Sequence, residues 1–397
     1  MKSKEKILMV MPVMKGGGAE RVASLLLNEF ARNGYTCEFL LTSSDKNDVI
    51  NRDLNSDIPI TSVYSGKKSN LFFRVLEIIA SLLCKPFEML GINVPAPFAF
   101  LSFYAQYHAE IKVLSKKLKN EPNSKVITFL QPSTPMTLIA AKGLPNRIII
   151  SERGDPKRLL KKRYGYNFVK KYYQRADAVV FQTNDAKAAY PDNVSSKGTV
   201  IFNPINDKLP ESYHGEREKN ITTFCRISRQ KNLTVLVEAF ADCRKKFSDY
   251  RLRIIGEPQN DDDRAHLNET KQLAAKFGVT DYINFEPFSS EVHNLIIHDA
   301  MYVNSSDYEG MSNAMLEAMA IGMPVICTDC PIGGANAVIE NGRNGMLTKV
   351  GDPEDFANAI IKVLSDKKLA ESLSLNAAKI RKELSLENIS QKWMELF

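Results

Sequence analysis

Short apolar runs alternate with helix-period segments along the whole chain, and this alternation leaves few architectures open. In the first half the runs are Ile7–Met11, Cys37–Leu41, Val126–Leu130, Ile148–Ile150 and Ala178–Phe181. In the second half they are Ile221–Cys225, Leu252–Ile255, Tyr282–Phe285, Met301–Val303 and Pro324–Cys327. Between Gly18 and Asn33 the apolar Val22, Leu25, Leu26 and Phe30 share one helical face, which stops at Gly34. Leu233–Phe247 and Asn313–Ile321 also read as helices. Such βαβ repetition predicts an α/β protein built on parallel sheets. At 397 residues the chain exceeds the roughly 250–300 residues at which one core stops growing, so two domains are expected. The polar stretch Asn203–Asn220, with Pro204, Pro210 and Gly215, reads as the linker between them. The expected boundaries are 1–203 and 204–375, with 376–397 a C-terminal helix crossing back to the first domain. Two Rossmann-like, doubly wound domains bind ligands outside the carboxyl ends of their strands, here in an interdomain cleft.

Composition excludes several classes. With 44% hydrophobic and 25% charged residues the chain is neither disordered nor collagen-like. Its six cysteines are scattered, which suits a reducing compartment. Cys327 and Cys330 form a lone C-x-x-C with no second ligand pair at zinc spacing, and read as buried strand-end and loop residues. The run from Ile7 to Met14 contains Pro12 and ends in glycines, unlike a signal peptide. No run reaches the ~18–20 apolar residues of a transmembrane helix. A cytoplasmic location is expected. The formal charge of +7 hides a division, since residues 1–205 hold 30 Lys/Arg against 17 Asp/Glu, a balance of +13. The remainder stands at −6, so only the first half favours an anionic partner.

Three segments carry chemistry. Directly after the first run comes Lys15-Gly16-Gly17-Gly18-Ala19-Glu20-Arg21, opening a helix. Glycines between a strand and a helix N-terminus let backbone N–H groups approach an anion. The segment is neither G-x-G-x-x-G nor a Walker loop, and a tight strand-to-helix turn explains it equally well. The second half opens alike, with Arg226 and Lys231 five residues apart just past Ile221–Cys225. A guanidinium fork and an ammonium there suit a diphosphate, with a solvated basic loop as the other reading. The most informative stretch is Ser305–Ala320, which enters a helix through a Gly-containing turn. Glu309 precedes that helix, and Glu317 lies two turns inside it among Met315, Leu316, Ala318 and Met319. A carboxylate in such surroundings is costly unless it accepts hydrogen bonds, and a ribose diol is one partner that satisfies it. The N–H groups of Ser312 and Asn313 at the turn suit phosphate oxygens.

Taken together, these segments resemble the GT4-type retaining glycosyltransferases of the GT-B fold, over essentially the whole chain. The carriers are Gly17-Gly18-Ala19-Glu20-Arg21, Ser151-Glu152-Arg153-Gly154-Asp155-Pro156, Asn203-Pro204, Arg226 with Lys231, and Gly256-Glu257. To these add the E-x7-E pair Glu309/Glu317, Gly322-x-Pro324-Val325-Ile326 and Asn341-Gly342-x-Asn344-Gly345. The resemblance implies retaining transfer from a nucleotide-sugar, UDP-linked by family frequency, with neither a bound metal nor another cofactor. Arg226 and Lys231 then clamp the donor diphosphate and stabilise charge on the departing nucleotide, while Glu309 meets the donor sugar. Glu317 holds the ribose, and Gly310, Met311, Ser312 and Asn313 offer turn amides to the donor. Gly17 and Gly18 let the first domain's backbone close over the sugar–phosphate region and the acceptor. Many members carry a histidine after the strand at Ile148–Ile150. Here that position reads S-E-R-x-D-P, as in a polysaccharide-building subset, and none of the five histidines fits the slot. Glu152 and Arg153 become the candidates for acceptor-side or sugar contacts, with a structural ion pair as the alternative.

The basic half needs its own partner. Pro156–Arg175 contains eight Lys/Arg and no Asp/Glu, among them Lys161, Lys162, Arg163, Lys170 and Lys171, with aromatics interleaved. Leu71–Tyr107 adds Phe72, Phe73, Phe87, Phe98, Phe100, Phe103 and Tyr104, read as exposed aromatics. Cations and aromatics suit an anionic lipid surface, and no nucleic-acid module pattern is present. The expected partners are therefore a nucleotide-sugar donor, a polyprenyl-diphosphate-linked saccharide acceptor and the inner membrane surface. The product would be a surface polysaccharide such as a capsule or lipopolysaccharide. A non-catalytic subunit of the same fold, or an epimerase or synthase acting on soluble substrates, are the competing readings.

Overall fold

A computed structural model describes residues 5–64, 66, 71–160 and 165–397. They form two compact units, one comprising the described residues up to Pro204 together with Leu386–Phe397, the other Ile205–Ser385.

The first unit is built on β1 (Lys6–Met11), β2 (Thr36–Leu41), β3 (Ile60–Ser62), β4 (Lys125–Phe129), β5 (Arg147–Ser151), β6 (Ala178–Phe181) and β7 (Gly198–Val200). These strands lie parallel in the order β3-β2-β1-β4-β5-β6-β7. Helices cover the faces, so the central strands are buried on both sides and read as continuous apolar runs. Ile7 through Met11 are inaccessible to solvent. Two helices, Leu71–Met89 and Ala96–Asn120, fill the long connection between β3 and β4.

The second unit repeats the plan with β8 (Glu218–Phe224), β9 (Arg251–Ile255), β10 (Ile283–Glu286), β11 (Asp299–Asn304), β12 (Val325–Thr328) and β13 (Met346–Thr348). Their order is β10-β9-β8-β11-β12-β13, again parallel. The order reverses between β8 and β11, and in open α/β sheets such a reversal leaves a crevice outside the carboxyl ends of the two strands. The loops after β8 and β11 are therefore neighbours, although some 80 residues separate them in sequence.

Two expectations change. The segment 376–397 is not one helix: Lys367–Ala377 and Ile380–Glu383 belong to the second unit and Leu386–Met394 to the first. Leu373 joins the second unit's core, whereas Trp393 is fully buried beside Phe129, with ring centroids 5.9 Å apart. Between them the backbone leaves helical geometry at Leu384 (φ −107°, ψ 27°). The polar stretch 203–220 is also more than a linker, because Arg217 ties it to the second unit. Its guanidinium donates to the carbonyls of Ile297 (3.1 Å), Asp299 (3.0 Å) and Tyr213 (2.7 Å), and burial lowers it to about 10.

Candidate active site

The loops that follow β8 and β11 are stitched together. After β8 the chain passes Cys225 and Arg226 into a single 3-10 turn, Arg229–Lys231, and then Asn232 (φ +43°) and the helix Leu233–Arg244. After β11 it runs from Ser305 to Ser312, whose hydroxyl caps the helix Asn313–Ala320 by accepting from the Met315 N–H at 3.4 Å. The Asp307 N–H donates to the Gln230 carbonyl (2.9 Å), and Gln230 Nε2 to the Tyr308 carbonyl (2.8 Å). Asn232 Nδ2 donates to Asp307 Oδ1 (2.6 Å), and Ser305 Oγ to the Lys231 carbonyl (2.9 Å).

At the centre of this lattice the Lys231 ammonium pairs with the Glu309 carboxylate, both side chains being largely buried. Glu309 also accepts from Ser306 Oγ at 2.9 Å and Gln230 Nε2 at 3.3 Å. Burial alone would push the Lys231 ammonium down, but the Glu309 charge and hydrogen bond leave it above its ordinary value. Arg226 is exposed, and its charge works against the rise at Lys231. Among the described residues Arg226 has no ion-pair partner. Gly256 (φ +151°) supports the loop from below: a Cβ there would stand 1.8 Å from the carbonyl oxygen of Cys225, immediately before Arg226.

Glu317 is buried on the helix Asn313–Ala320, and its Oε2 lies 2.9 Å from Nε2 of His293. A carboxylate only accepts, so Nε2 carries the hydrogen of that bond. His293 comes from the short helix Val292–Ile296, and its ring stands edge-on to Phe224 at the end of β8 (5.5 Å). It has no place in the sequence-derived site, because nothing in the spacing between residues 293 and 317 marks the contact.

The turn Gly310–Asn313 borders a small cavity lined by Glu309, Gly310, Ser312, Met315, Thr328 and Gly333. The Gly334 N–H donates to the Gly310 carbonyl at 2.6 Å. Met311 is buried beneath Gly334, where an added Cβ would stand 2.6 Å from Met311 Cα. Cys327 and Cys330 are buried free thiols, as their apolar context predicts. Cys330 Sγ donates to the Ser306 carbonyl at 3.0 Å, and burial pushes its thiol up to about 11. Among the described residues no group of three or more His, Cys, Asp or Glu is gathered where it would hold a metal ion.

In the first unit Gly16 (φ +76°) makes the turn after β1, and Gly17 caps the helix Gly18–Arg32. The donors expected to face an external anion meet an internal one: Glu20 Oε2 accepts from the N–H groups of Gly17 (2.6 Å) and Lys15 (2.9 Å). An acid in the first helical turn is favoured there in any case.

Glu152 and Arg153 follow β5 and turn to different partners. Tyr173 Oη donates to Glu152 Oε1 at 2.6 Å. Arg153 Nη1 donates to Asn203 Oδ1, and its guanidinium lies 4.2 Å from the centroid of the Phe129 ring and 5.8 Å from that of Trp393. Its Nε and Nη2 are buried without a hydrogen-bond acceptor, and burial pulls the group down to about 9.

Lys161, Lys162 and Arg163 lie outside the described residues. Lys170 and Lys171 are exposed, and Lys171 Nζ sits 4.3 Å from the Phe100 ring centroid. The aromatics of Leu71–Tyr107 are less exposed than expected. Phe103 is buried in the core and Phe73, Phe87, Phe98 and Phe100 are half-buried, leaving Phe72 and Tyr104 open.

Comparison with known proteins bears on this geometry. A family model described as "Glycosyl transferases group 1" matches residues 206–380. An uncharacterized glycosyltransferase of Haemophilus influenzae is 22% identical over 395 residues, covering 97% of both chains. A Campylobacter jejuni relative, 24% identical over 81% of this chain and 93% of its own length, is an α-1,4-N-acetyl-D-galactosaminyltransferase named for a diNAcBac-PP-undecaprenol-linked substrate. The crystal structure of Anabaena HepE in complex with UDP superposes with a TM-score of 0.73 at 17% identity, covering 98% of each chain. The region holding Arg226, Lys231, His293, Glu309 and Glu317 thus matches the group 1 glycosyl transferases, and the chain has the two Rossmann-like domains of the GT-B glycosyltransferase fold.

Proposed function

We propose that this protein is a retaining, metal-independent glycosyltransferase that moves a sugar from a UDP-linked donor to a lipid-linked saccharide at the inner face of the cytoplasmic membrane. The observation that carries this reading is the meeting of Lys231 and Glu309 on loops leaving adjacent strands, with Arg226 on the same β8 loop as Lys231. A buried ion pair holds the ammonium in one place before any ligand arrives, which is the preorganisation that leaving-group stabilisation requires. The ammonium has three donors, so it can keep Glu309 and still bind a phosphate oxygen, and the Arg226 fork supplies the second contact.

In the reaction the bond between the anomeric carbon and the β-phosphate oxygen breaks, and the acceptor oxygen bonds to the same face of that carbon. The acceptor proton passes to the departing phosphate oxygen. Lys231 and Arg226 stabilise the charge growing on that phosphate, Glu309 orients the donor sugar's hydroxyls, and Glu317 holds the ribose. The His293 bond fixes the Glu317 carboxylate in one orientation. Support for the donor comes from HepE, solved with UDP, and support for the acceptor from the undecaprenol-linked substrate of the Campylobacter relative. Arg153, with buried donors left unpaired beside the end of β5, is suited to an acceptor-side anion. Incubation with a panel of UDP-, GDP- and ADP-sugars, with the product's anomeric configuration read by NMR, tests the proposal. Retention with a UDP-sugar is expected. Inversion would contradict the retaining mechanism, and failure to consume any donor with lipid-linked acceptors supplied would favour the non-catalytic subunit.

A further inference from the structure

The helix Leu71–Met89 presents to solvent what a helix of a soluble domain buries. Among its residues only Ala80 and Cys84 are buried, while Leu71, Ile78, Leu82 and Met89 are 75, 61, 63 and 80% exposed. Phe72, Val75, Ile79 and Leu83 widen the stripe, and Leu90 and Ile92 extend it past the helix end. Scattered exposed apolar residues need no explanation, but a continuous surface of this length does. The opposite face packs on the helix Ala96–Asn120. Cys84, Val94 and Ala99 form a small cluster with Phe87 and Phe98, and Phe73 stacks on His108 with ring centroids 3.4 Å apart.

A cationic segment adjoins this hairpin. Asn167 Nδ2 donates to the Val94 carbonyl at 2.5 Å, and Phe168 meets Phe100 edge-on at 4.8 Å. The exposed Lys170, Lys171 and Arg175 follow on the same segment, which contains no acid from Pro156 to Arg175. Among the described residues no helix is long and apolar enough to cross a membrane, and this one carries Arg74, Glu77, Lys85, Pro86 and Glu88.

We infer that the apolar face of residues 71–92 inserts into the interfacial layer of an anionic bilayer, with Lys170, Lys171 and Arg175 engaging the headgroups. This rests on the proposed lipid-linked acceptor and names the element that brings the enzyme to it. A bilayer surface offers apolar depth and negative charge side by side. A second copy docked by the same face would bring its own cations against these.

The test is cosedimentation of the full chain with phosphatidylcholine vesicles, with and without phosphatidylglycerol, containing no acceptor. Binding is expected to the anionic vesicles, to weaken by roughly fivefold for each charge removed in Lys170→Gln and Lys171→Gln, and to fall at least tenfold in the double variant Ile78→Asp/Leu82→Asp. The double variant should keep the wild-type melting temperature and the wild-type rate of UDP release in solution. Unchanged binding by the double variant would overturn the inference. So would a wild-type protein that ignores vesicles and instead sediments as a dimer that Ile78→Asp/Leu82→Asp dissociates. Binding without UDP release from any donor would instead fail the proposed activity alone.

Discussion

Nε2 of His293 lies 2.9 Å from Oε2 of Glu317, and both side chains are buried. This contact joins a five-residue helix to the helix that follows the β11 loop, and it orients the acid assigned to the donor's ribose. Glu317→Ala should weaken UDP-sugar affinity by about 10- to 100-fold, the worth of hydrogen bonds to a charged group. His293→Ala should weaken it less while lowering stability, since Glu317 stays in place but loses its brace. Calorimetric titration with the donor checks both; unchanged affinity in Glu317→Ala would contradict the assignment.

Lys231 is expected to matter more for turnover than for binding. In the proposed transfer its charge balances the negative charge that grows as the nucleotide leaves, so Lys231→Ala should lower kcat by about 100- to 1,000-fold with a smaller change in donor affinity. Lys231→Arg should not restore the rate, because a planar fork cannot occupy the compact position beside Glu309. Single-turnover kinetics with independent donor titration separates the two effects.

The backbone at Gly256 is a further point of sensitivity. An alanine there meets the Cys225 carbonyl oxygen at 1.8 Å and must adopt φ +151°. Gly256→Ala should cost about 3 kcal/mol or more in the second unit, and shift Arg226, one residue beyond Cys225. Thermal unfolding reads the first effect and donor affinity the second.

Acid stability of the first unit should depend on Glu38. Burial by itself would raise this carboxyl, but hydrogen bonds from Lys117, Lys6 and Thr61 hold it below its ordinary value. A lowered folded value means that the stabilisation is fully present above the unfolded value of about 4.3. It is lost as pH falls through the folded value. Glu38→Gln should lower stability at pH 7 and flatten its decline below pH ~4, as followed by urea unfolding across pH.

Much of this was legible in the sequence, for physical reasons. Central parallel strands are buried on both faces, so β1, β5 and β6 announce themselves as apolar runs. The edge strands β3, β7 and β13 have three residues each and carry too little apolar sequence to be noticed. Arg226, Lys231, Glu309 and Glu317 stand in local sequence patterns, and their donor-side roles follow from the resemblance of those patterns to the GT4-type enzymes. His293 reaches Glu317 through tertiary folding alone. Glu20 was read as part of a glycine motif, yet its carboxylate takes the N–H groups of Gly17 and Lys15. The helix Leu71–Met89 has an apolar stripe that looks the same in sequence whether it faces a core or a bilayer.

We propose that Arg226 and Lys231 on the β8 loop take the place of a metal in expelling the nucleotide. The most direct test is UDP release from a UDP-sugar with lipid-linked acceptor in the presence of excess EDTA, comparing wild type with Lys231→Ala. Full activity is expected for the wild type under chelation, with loss of about 100-fold or more for the variant. Wild-type activity abolished by EDTA and restored by added divalent cation, or a Lys231→Ala enzyme as fast as the wild type, would contradict it.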